Sequence, residues 1–314
     1  MNKQISKLYN RIHINSINMS DQGILSSGGL GFSIKHAPMT VEVSYVDGEK
    51  CNIVNGFSPD RVESIISTLH TRYNIPQKGW QVNVDQLLRP HIGLGSTTQI
   101  EAQILMSCFS IALAKNPSYQ DFISTAIGIE SGIGLKCFLK NGFHIDFGYW
   151  SNRDKITKIN SAEAVTKSLY FRLPDEWKVI LIVPKEFTSI SGSIEQRFWD
   201  KILPVDASEA YKISFYTLMG VIPSILESNF TNFIESLKSV THYGTKPFEV
   251  TLNQNYINPV YEDVNEVFGF CGLSSLGPTC YTFIENSNDW SRQINRLKEK
   301  HQNFQFIITE LVYE

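Results

Sequence analysis

The chain has 314 residues, 42% of them hydrophobic, with 28 Lys and Arg against 31 Asp and Glu. That length buries a sizeable core and favours two domains or one large two-lobed unit. The near-neutral balance, without a dense Lys/Arg cluster, argues against nucleic acid and membrane surfaces as partners. The start, Met1 to Lys7, is polar and lacks the apolar core of a signal peptide, and no run approaches the roughly 18 apolar residues that span a bilayer. Five scattered cysteines (Cys51, Cys108, Cys137, Cys271, Cys280) show no zinc-like spacing. They fit unpaired thiols in a reducing cytoplasm.

In chain order, Ile12–Ile17, Leu30–Ile34 and Thr40–Val46 read as short strands around a Ser/Gly-rich turn at residues 26–29. Ser58-Pro59 opens a helix running to about Tyr73, with Val62, Ile65, Ile66 and Leu69 on one face. A strand at Trp80–Leu87 precedes a glycine-rich turn and an apolar helix at Ile100–Ala114, and a shorter helix spans Gln120–Ile127. Gly132–Leu139 and Phe143–Tyr149 read as two strands joined at Asn141-Gly142, a strong hairpin signal. Residues 152–167 are polar and loop-like. Beyond them come strands at Ser168–Arg172 and Trp177–Val183. Helices follow at Glu195–Trp199, Ala207–Leu226, Asn229–Val240, Pro259–Phe268 and Trp290–His301, with strands at Cys280–Ile284 and Phe304–Leu311. The pattern is α+β in two lobes, 1–165 and 166–314.

The most telling stretch is Arg89-Pro90-His91-Ile92-Gly93-Leu94-Gly95-Ser96-Thr97-Thr98-Gln99. A glycine-rich turn feeding a helix start offers free backbone N–H groups at the positive end of the helix dipole, which suits a phosphate. Gly93, Leu94, Gly95, Ser96, Thr97 and Thr98 are the expected phosphate-binding residues, and ordinary helix capping is the plain alternative. Arg11 and His13, two apart on a strand, share one face. Together with His91 they are the candidate catalytic side chains; Arg89 also flanks the turn. A second glycine-rich segment, residues 269–279, supplies Ser274, Ser275, Gly277 and Thr279 as candidate substrate-binding residues. Spacing does not establish that the two segments meet.

Four blocks resemble the GHMP kinase superfamily, and within it the beta-ribofuranosylaminobenzene 5'-phosphate synthases. They are Arg11-Ile12-His13 with Gly28-Gly29-Leu30-Gly31; His91 to Gln99; Ser131-Gly132-Ile133-Gly134 with Gly142-Phe143 and Asp146; and Gly272 to Tyr281. The resemblance implies a GHMP-kinase-like fold, with an N-terminal lobe of ribosomal protein S5 domain 2-like type and a ferredoxin-like C-terminal lobe. It implies a cytoplasmic, decarboxylating C-ribosyltransferase. The substrates would be phosphoribosyl pyrophosphate and an aromatic or heteroaromatic acid, as in methanopterin-type biosynthesis, and a homodimer is expected. A divalent cation such as Mg2+ would fall to Asp146 or Glu101, since hard cations prefer carboxylate oxygen.

Many kinases of the superfamily carry an aspartate where this chain has Gly134, and glycine cannot take a proton. The chain also departs from the synthase pattern: Asn18 and Ser27 stand where that branch has aspartates, and Leu25 where it has arginine. Two other readings therefore stay open. One is an ATP-dependent small-molecule kinase. The other is a non-catalytic ligand-binding protein of the same fold.

Overall fold

The computed structural model of the chain describes residues 2–86, 89–125, 127, 132–150, 164–188, 190, 192–286 and 289–313. The first lobe is built on two long antiparallel strands, β1 (Lys3–Asn18) and β2 (Leu25–Tyr45). Both run further than local propensity indicates. Pairing crosses a bulge at residues 35–38, where the Asn10 amide donates to the carbonyls of His36 and Ala37 (2.9 Å each). Such bridging lets strand pairing resume beyond a Pro-containing kink.

Strand β2 is the spine. Its C-terminal half pairs with β4 (Trp80–Asp85), which pairs in parallel with β3 (Ile53–Asn55). Its N-terminal half pairs with β5 (Phe143–Asp146) and β6 (Tyr149–Trp150). Strand β7 (Ser168–Phe171) joins β5, so this sheet draws an edge strand from beyond residue 165. Helix α1 (Pro59–Tyr73) buries Val62, Ile65, Ile66 and Leu69 as the periodicity indicates. Helix α2 (Ser96–Leu113) is apolar on nearly every side and lies in the core of this lobe, followed by α3 (Tyr119–Ser124).

One expectation is corrected: Gly132–Leu139 is a helix, α4, not a strand. Five consecutive residues, Ile133 to Cys137, are buried. With no polar face, the run carries no period by which helix and strand differ. Asn141-Gly142 accordingly turns a helix into β5 instead of joining two strands.

The second lobe has an antiparallel sheet in the order β11 (Phe304–Thr309), β8 (Trp177–Pro184), β10 (Cys280–Glu285), β9 (Gly272–Leu273). Around it pack α5 (Ser193–Ile202), α6 (Ala207–Tyr216), α7 (Ile222–Leu226), α8 (Phe230–Thr241), α9 (Lys246–Ile257), α10 (Val260–Phe268) and α11 (Ser291–Lys300). A π-helical turn, Thr217–Val221, links α6 to α7. Helix α9 has no counterpart in the sequence reading.

The lobes share one core: Ile12, Phe32 and Phe143 pack in the same cluster as Val179, Leu181, Tyr281 and Phe283. Each such side chain contributes about 1.5–3 kcal/mol on burial, so the lobes are not independent. The described residues include no helix long and apolar enough to cross a membrane. The five cysteines are free thiols, four of them buried.

Candidate active site

The turn before α2 has the geometry its sequence suggests. His91, Gly93 and Gly95 all take positive φ (59°, 89° and 68°), curling the chain into the first turn of the helix. The early N–H groups of Ser96, Thr97 and Thr98 lie where a helix supplies no internal partner, beside the positive dipole end. Ser96 is buried, Thr97 and Thr98 are half-buried, and His91 and Arg89 are exposed at the outer edge.

Arg11 lies directly beneath. Its backbone N–H donates to Leu94 O (3.0 Å) and its Nη1 to Gly93 O (3.1 Å). A Cβ on Gly95 would stand 2.6 Å from Arg11 Nε, so glycine is required by space as well as by φ. Burial lowers the Arg11 pKa to about 10, which leaves a cation at neutral pH. His13 shares this face while Ile12 and Ile14 point into the core, confirming the alternation. Burial, then the neighbouring cations Lys246 and Arg11, hold the His13 imidazole well below its ordinary value. At neutral pH it is uncharged.

The two glycine-rich segments do meet. A Cβ on Gly93 would fall 2.4 Å from Ser274 O and 3.2 Å from Gly277 O. Ser274 Oγ donates to Gly93 O (2.7 Å) and accepts from the His13 N–H (3.2 Å). The Ser275 N–H donates to His13 O (3.1 Å) and the Thr279 N–H to Ile92 O (3.3 Å). Ser274 and Thr279 are fully buried. The Ser274 hydroxyl is thus engaged in tying the lobes together, and Thr279 Oγ1 is buried with no hydrogen-bond partner among the described residues.

Under this loop is a polar group absent from the sequence reading. Lys246 Nζ donates to Glu249 and to the carbonyls of Leu273 (3.1 Å) and Ser275 (3.2 Å). Thr245 Oγ1 donates to Glu249 Oε1 (2.7 Å), and the Asn253 amide donates to Leu276 O (2.9 Å). The one available signal was the i,i+3 Lys-Glu spacing, which ordinarily marks a solvated helix face.

The start of α4 joins the same region. Gln99 Nε2 donates to Gly134 O (2.7 Å), and Ile133 packs against Gly29 and Gly31. Ser131 lies outside the described residues. Gly134 contributes a carbonyl here and no proton acceptor of the carboxylate kind.

The two carboxylates expected to hold a cation are each paired. Asp146 lies beside Gly132 and 3.5 Å from Lys136 Nζ, both side chains being buried. Burial pushes the Asp146 pKa up while Lys136 opposes it. Glu101 pairs with Arg61 at 2.6 Å. Among the described residues no group of three or more His, Cys, Asp or Glu is placed to hold a metal. This donor set does not fit a resident divalent cation held by the protein alone.

Of the departures, Asn18 has a direct structural account. Its Nδ2 donates to Gln22 O (2.9 Å) and Leu25 O (2.7 Å), and its Oδ1 accepts from Ser20 N and Oγ. It locks the β1–β2 connection, and an aspartate has no N–H for those two bonds. Ser27 sits at φ 65° and Leu25 pairs with Trp150.

No family model matches the chain. It is 26% identical over 303 residues to the beta-ribofuranosylphenol 5'-phosphate synthase of Methanocaldococcus jannaschii, covering 89% of this chain and 90% of that one. A protein of the same name from Methanothermobacter thermautotrophicus is 24% identical, covering 88% and 87%. Among solved structures, the phosphomevalonate kinase of Streptococcus pneumoniae superposes with a TM-score of 0.68 at 10% identity, over 99% of this chain and 100% of that one. The mevalonate pyrophosphate decarboxylase of Streptococcus pyogenes gives 0.64 at 13%, over 100% and 98%. At such identities the structural likeness establishes the fold alone.

Proposed function

Because this chain has the GHMP kinase fold and is similar in sequence to proteins named beta-ribofuranosylphenol 5'-phosphate synthase, we propose that it is a C-ribosyltransferase. It joins phosphoribosyl pyrophosphate to an aromatic or heteroaromatic carboxylate in the cytoplasm. The observation that carries this reading is the meeting of the Gly93–Thr98 turn with the 273–279 loop over Arg11 and His13, in a chain collinear with synthases over nearly nine-tenths of its length.

In the proposed reaction the bond from ribose C1 to pyrophosphate breaks and the leaving group keeps the electron pair. The ring carbon bearing the carboxylate attacks C1, forming a carbon–carbon bond. Carbon dioxide then departs, and the pair from its bond restores the aromatic ring. The turn before α2 and the Arg11 cation lower the cost of charge developing on the pyrophosphate. Neutral His13 presents a nitrogen that hydrogen-bonds without repelling an oxocarbenium-like centre. No step needs a base to deprotonate a hydroxyl, which agrees with glycine at position 134. The divalent cation belongs, in this reading, to the pyrophosphate substrate and not to the chain.

A homodimer is part of the proposal. Tyr211, Phe215, Leu218, Met219 and Leu226 follow one another at helical spacing along α6 to α7 and are between 60% and 67% exposed. Side chains of this size present together about 600 Å² of apolar surface. Two copies give about 1,200 Å², the lower edge of a stable interface.

The test is thermal denaturation with phosphoribosyl pyrophosphate against ATP, each with magnesium. A ligand at a hundred times its Kd adds about 2.7 kcal/mol. Stabilisation by phosphoribosyl pyrophosphate alone supports the transferase and opens an acceptor screen read by pyrophosphate and carbon dioxide release. Stabilisation by ATP alone overturns it in favour of the kinase.

A further inference from the structure

Helix α9 places three buried polar side chains under the 273–279 loop: Lys246, Glu249 and Asn253 are 1%, 2% and 1% exposed. A buried ion pair is a poor source of stability, since well-packed apolar residues in its place are often neutral or better. Its geometry gives another reason for it. One N–H of the ammonium goes to Glu249, and two go to the carbonyls of Leu273 and Ser275. Asn253 holds the next carbonyl, that of Leu276. Ser275, gripped by Lys246, sits at φ 53°, a conformation that a serine does not keep without support.

The loop held in this way sets the rest of the site. Its Ser274 hydroxyl bonds Gly93 O and the His13 N–H, and its Ser275 and Thr279 N–H groups bond His13 O and Ile92 O. Both sides of the proposed phosphate cradle are thus tied, through the Ser274 hydroxyl and main-chain N–H groups, to a loop whose carbonyls α9 holds. We infer that Lys246 is a positioning residue which, through the 273–279 loop, sets His13 and the Gly93 turn in the arrangement that receives the pyrophosphate group. The inference rests on the phosphate-site reading above.

The experiment is calorimetric titration of the full chain with magnesium pyrophosphate and with phosphoribosyl pyrophosphate. Lys246→Met combined with Glu249→Gln removes both charges together, leaving no uncompensated ion. The expected result is a Kd raised at least tenfold with a stoichiometry still near that of the unaltered chain. A merely structural role lowers the stoichiometry, because fewer molecules are competent, and leaves Kd where it was. That outcome, or unchanged binding, overturns the inference. If the double variant does not fold, Glu249→Gln alone is read by the same titration. It keeps the lysine but loosens its anchor, so a Kd raised threefold or more supports the inference and an unmoved Kd overturns it. Failure of the unaltered chain to bind either ligand is a different result, and overturns the phosphate-site reading and this inference together.

Discussion

Replacing Gly95 by alanine separates the two reasons a glycine stands there. Holding an alanine at φ 68° costs about 1–2 kcal/mol. The added Cβ then stands 2.6 Å from Arg11 Nε, 2.8 Å from Cζ and 2.9 Å from Cγ, so the side chain of Arg11 must move. Moving it breaks the bond from Nη1 to Gly93 O, and a hydrogen bond from a charged group contributes about 1.5–3 kcal/mol. The sum is about 3–5 kcal/mol, of order 5–10 °C in a chain of this length. Gly48 is the control: its φ is 83°, and nothing lies within 4 Å of a Cβ placed there. Gly48→Ala therefore carries the conformational cost alone, about 1–2 kcal/mol. Denaturant unfolding gives the stabilities, and titration with magnesium pyrophosphate gives the affinities. Gly95→Ala is expected to lose at least tenfold in affinity while Gly48→Ala binds like the unaltered chain. Equal binding by both variants would refute the placement of the phosphate on this turn.

Asp146→Asn leaves the Lys136 cation buried, among the described residues, with carbonyls and the Tyr119 ring about it, and should destabilise the fold by about 3–5 kcal/mol whether or not magnesium is present. A loss of stability confined to magnesium-containing buffer would instead make Asp146 a metal ligand. His13 has a folded pKa below its unfolded value of about 6.5. The unfolded chain therefore takes up this proton first, so stability is full above pH ~6.5 and falls as the solution is acidified below it. His13→Asn should lose less stability than the unaltered chain between pH 7.5 and 5.5, and parallel curves would exclude that contribution. Asn18→Asp turns two donated hydrogen bonds into oxygen facing carbonyl oxygen, and should lower stability by about 1–3 kcal/mol in a denaturant titration. An increase would show that the amide is not what holds the turn. Phe215→Glu with Leu218→Glu should convert a dimer to a monomer in light scattering at micromolar concentration, and an unchanged mass would place any interface elsewhere.

Much of the site was legible because it is written in local chemistry. Glycines at 93 and 95 before Ser-Thr-Thr mark a sharp turn into a helix wherever they occur, and the two-residue spacing of Arg11 and His13 puts both on one strand face. Other parts depend on partners distant in sequence. Residues 133–137 are buried in succession, so their pattern does not distinguish a helix from a strand. Helix α9 has little apolar periodicity, because the side chains it buries include a lysine, a glutamate and an asparagine. Ordinary patterning rules assign those residue types to water. Asp146 and Glu101 stand out in the sequence as available carboxylates, and only the tertiary structure shows Lys136 and Arg61 against them.

The bond between His13 and Ser274 spans 261 residues, and that between Gly93 and Ser274 spans 181. A ribosome adding roughly 5–20 residues per second needs tens of seconds to traverse the longer distance. Throughout that interval the emerging first lobe has its glycine turn but neither the loop that holds it nor its last strand contacts. Lys35 and Ser33 still await Glu310 and Val312. On the proposed reading, the anion site is assembled only once the 273–279 loop has been made and has docked on the Gly93 turn. A phosphorylated ligand bound there would then act on the closure of the two lobes, as a lock on segments that have already met.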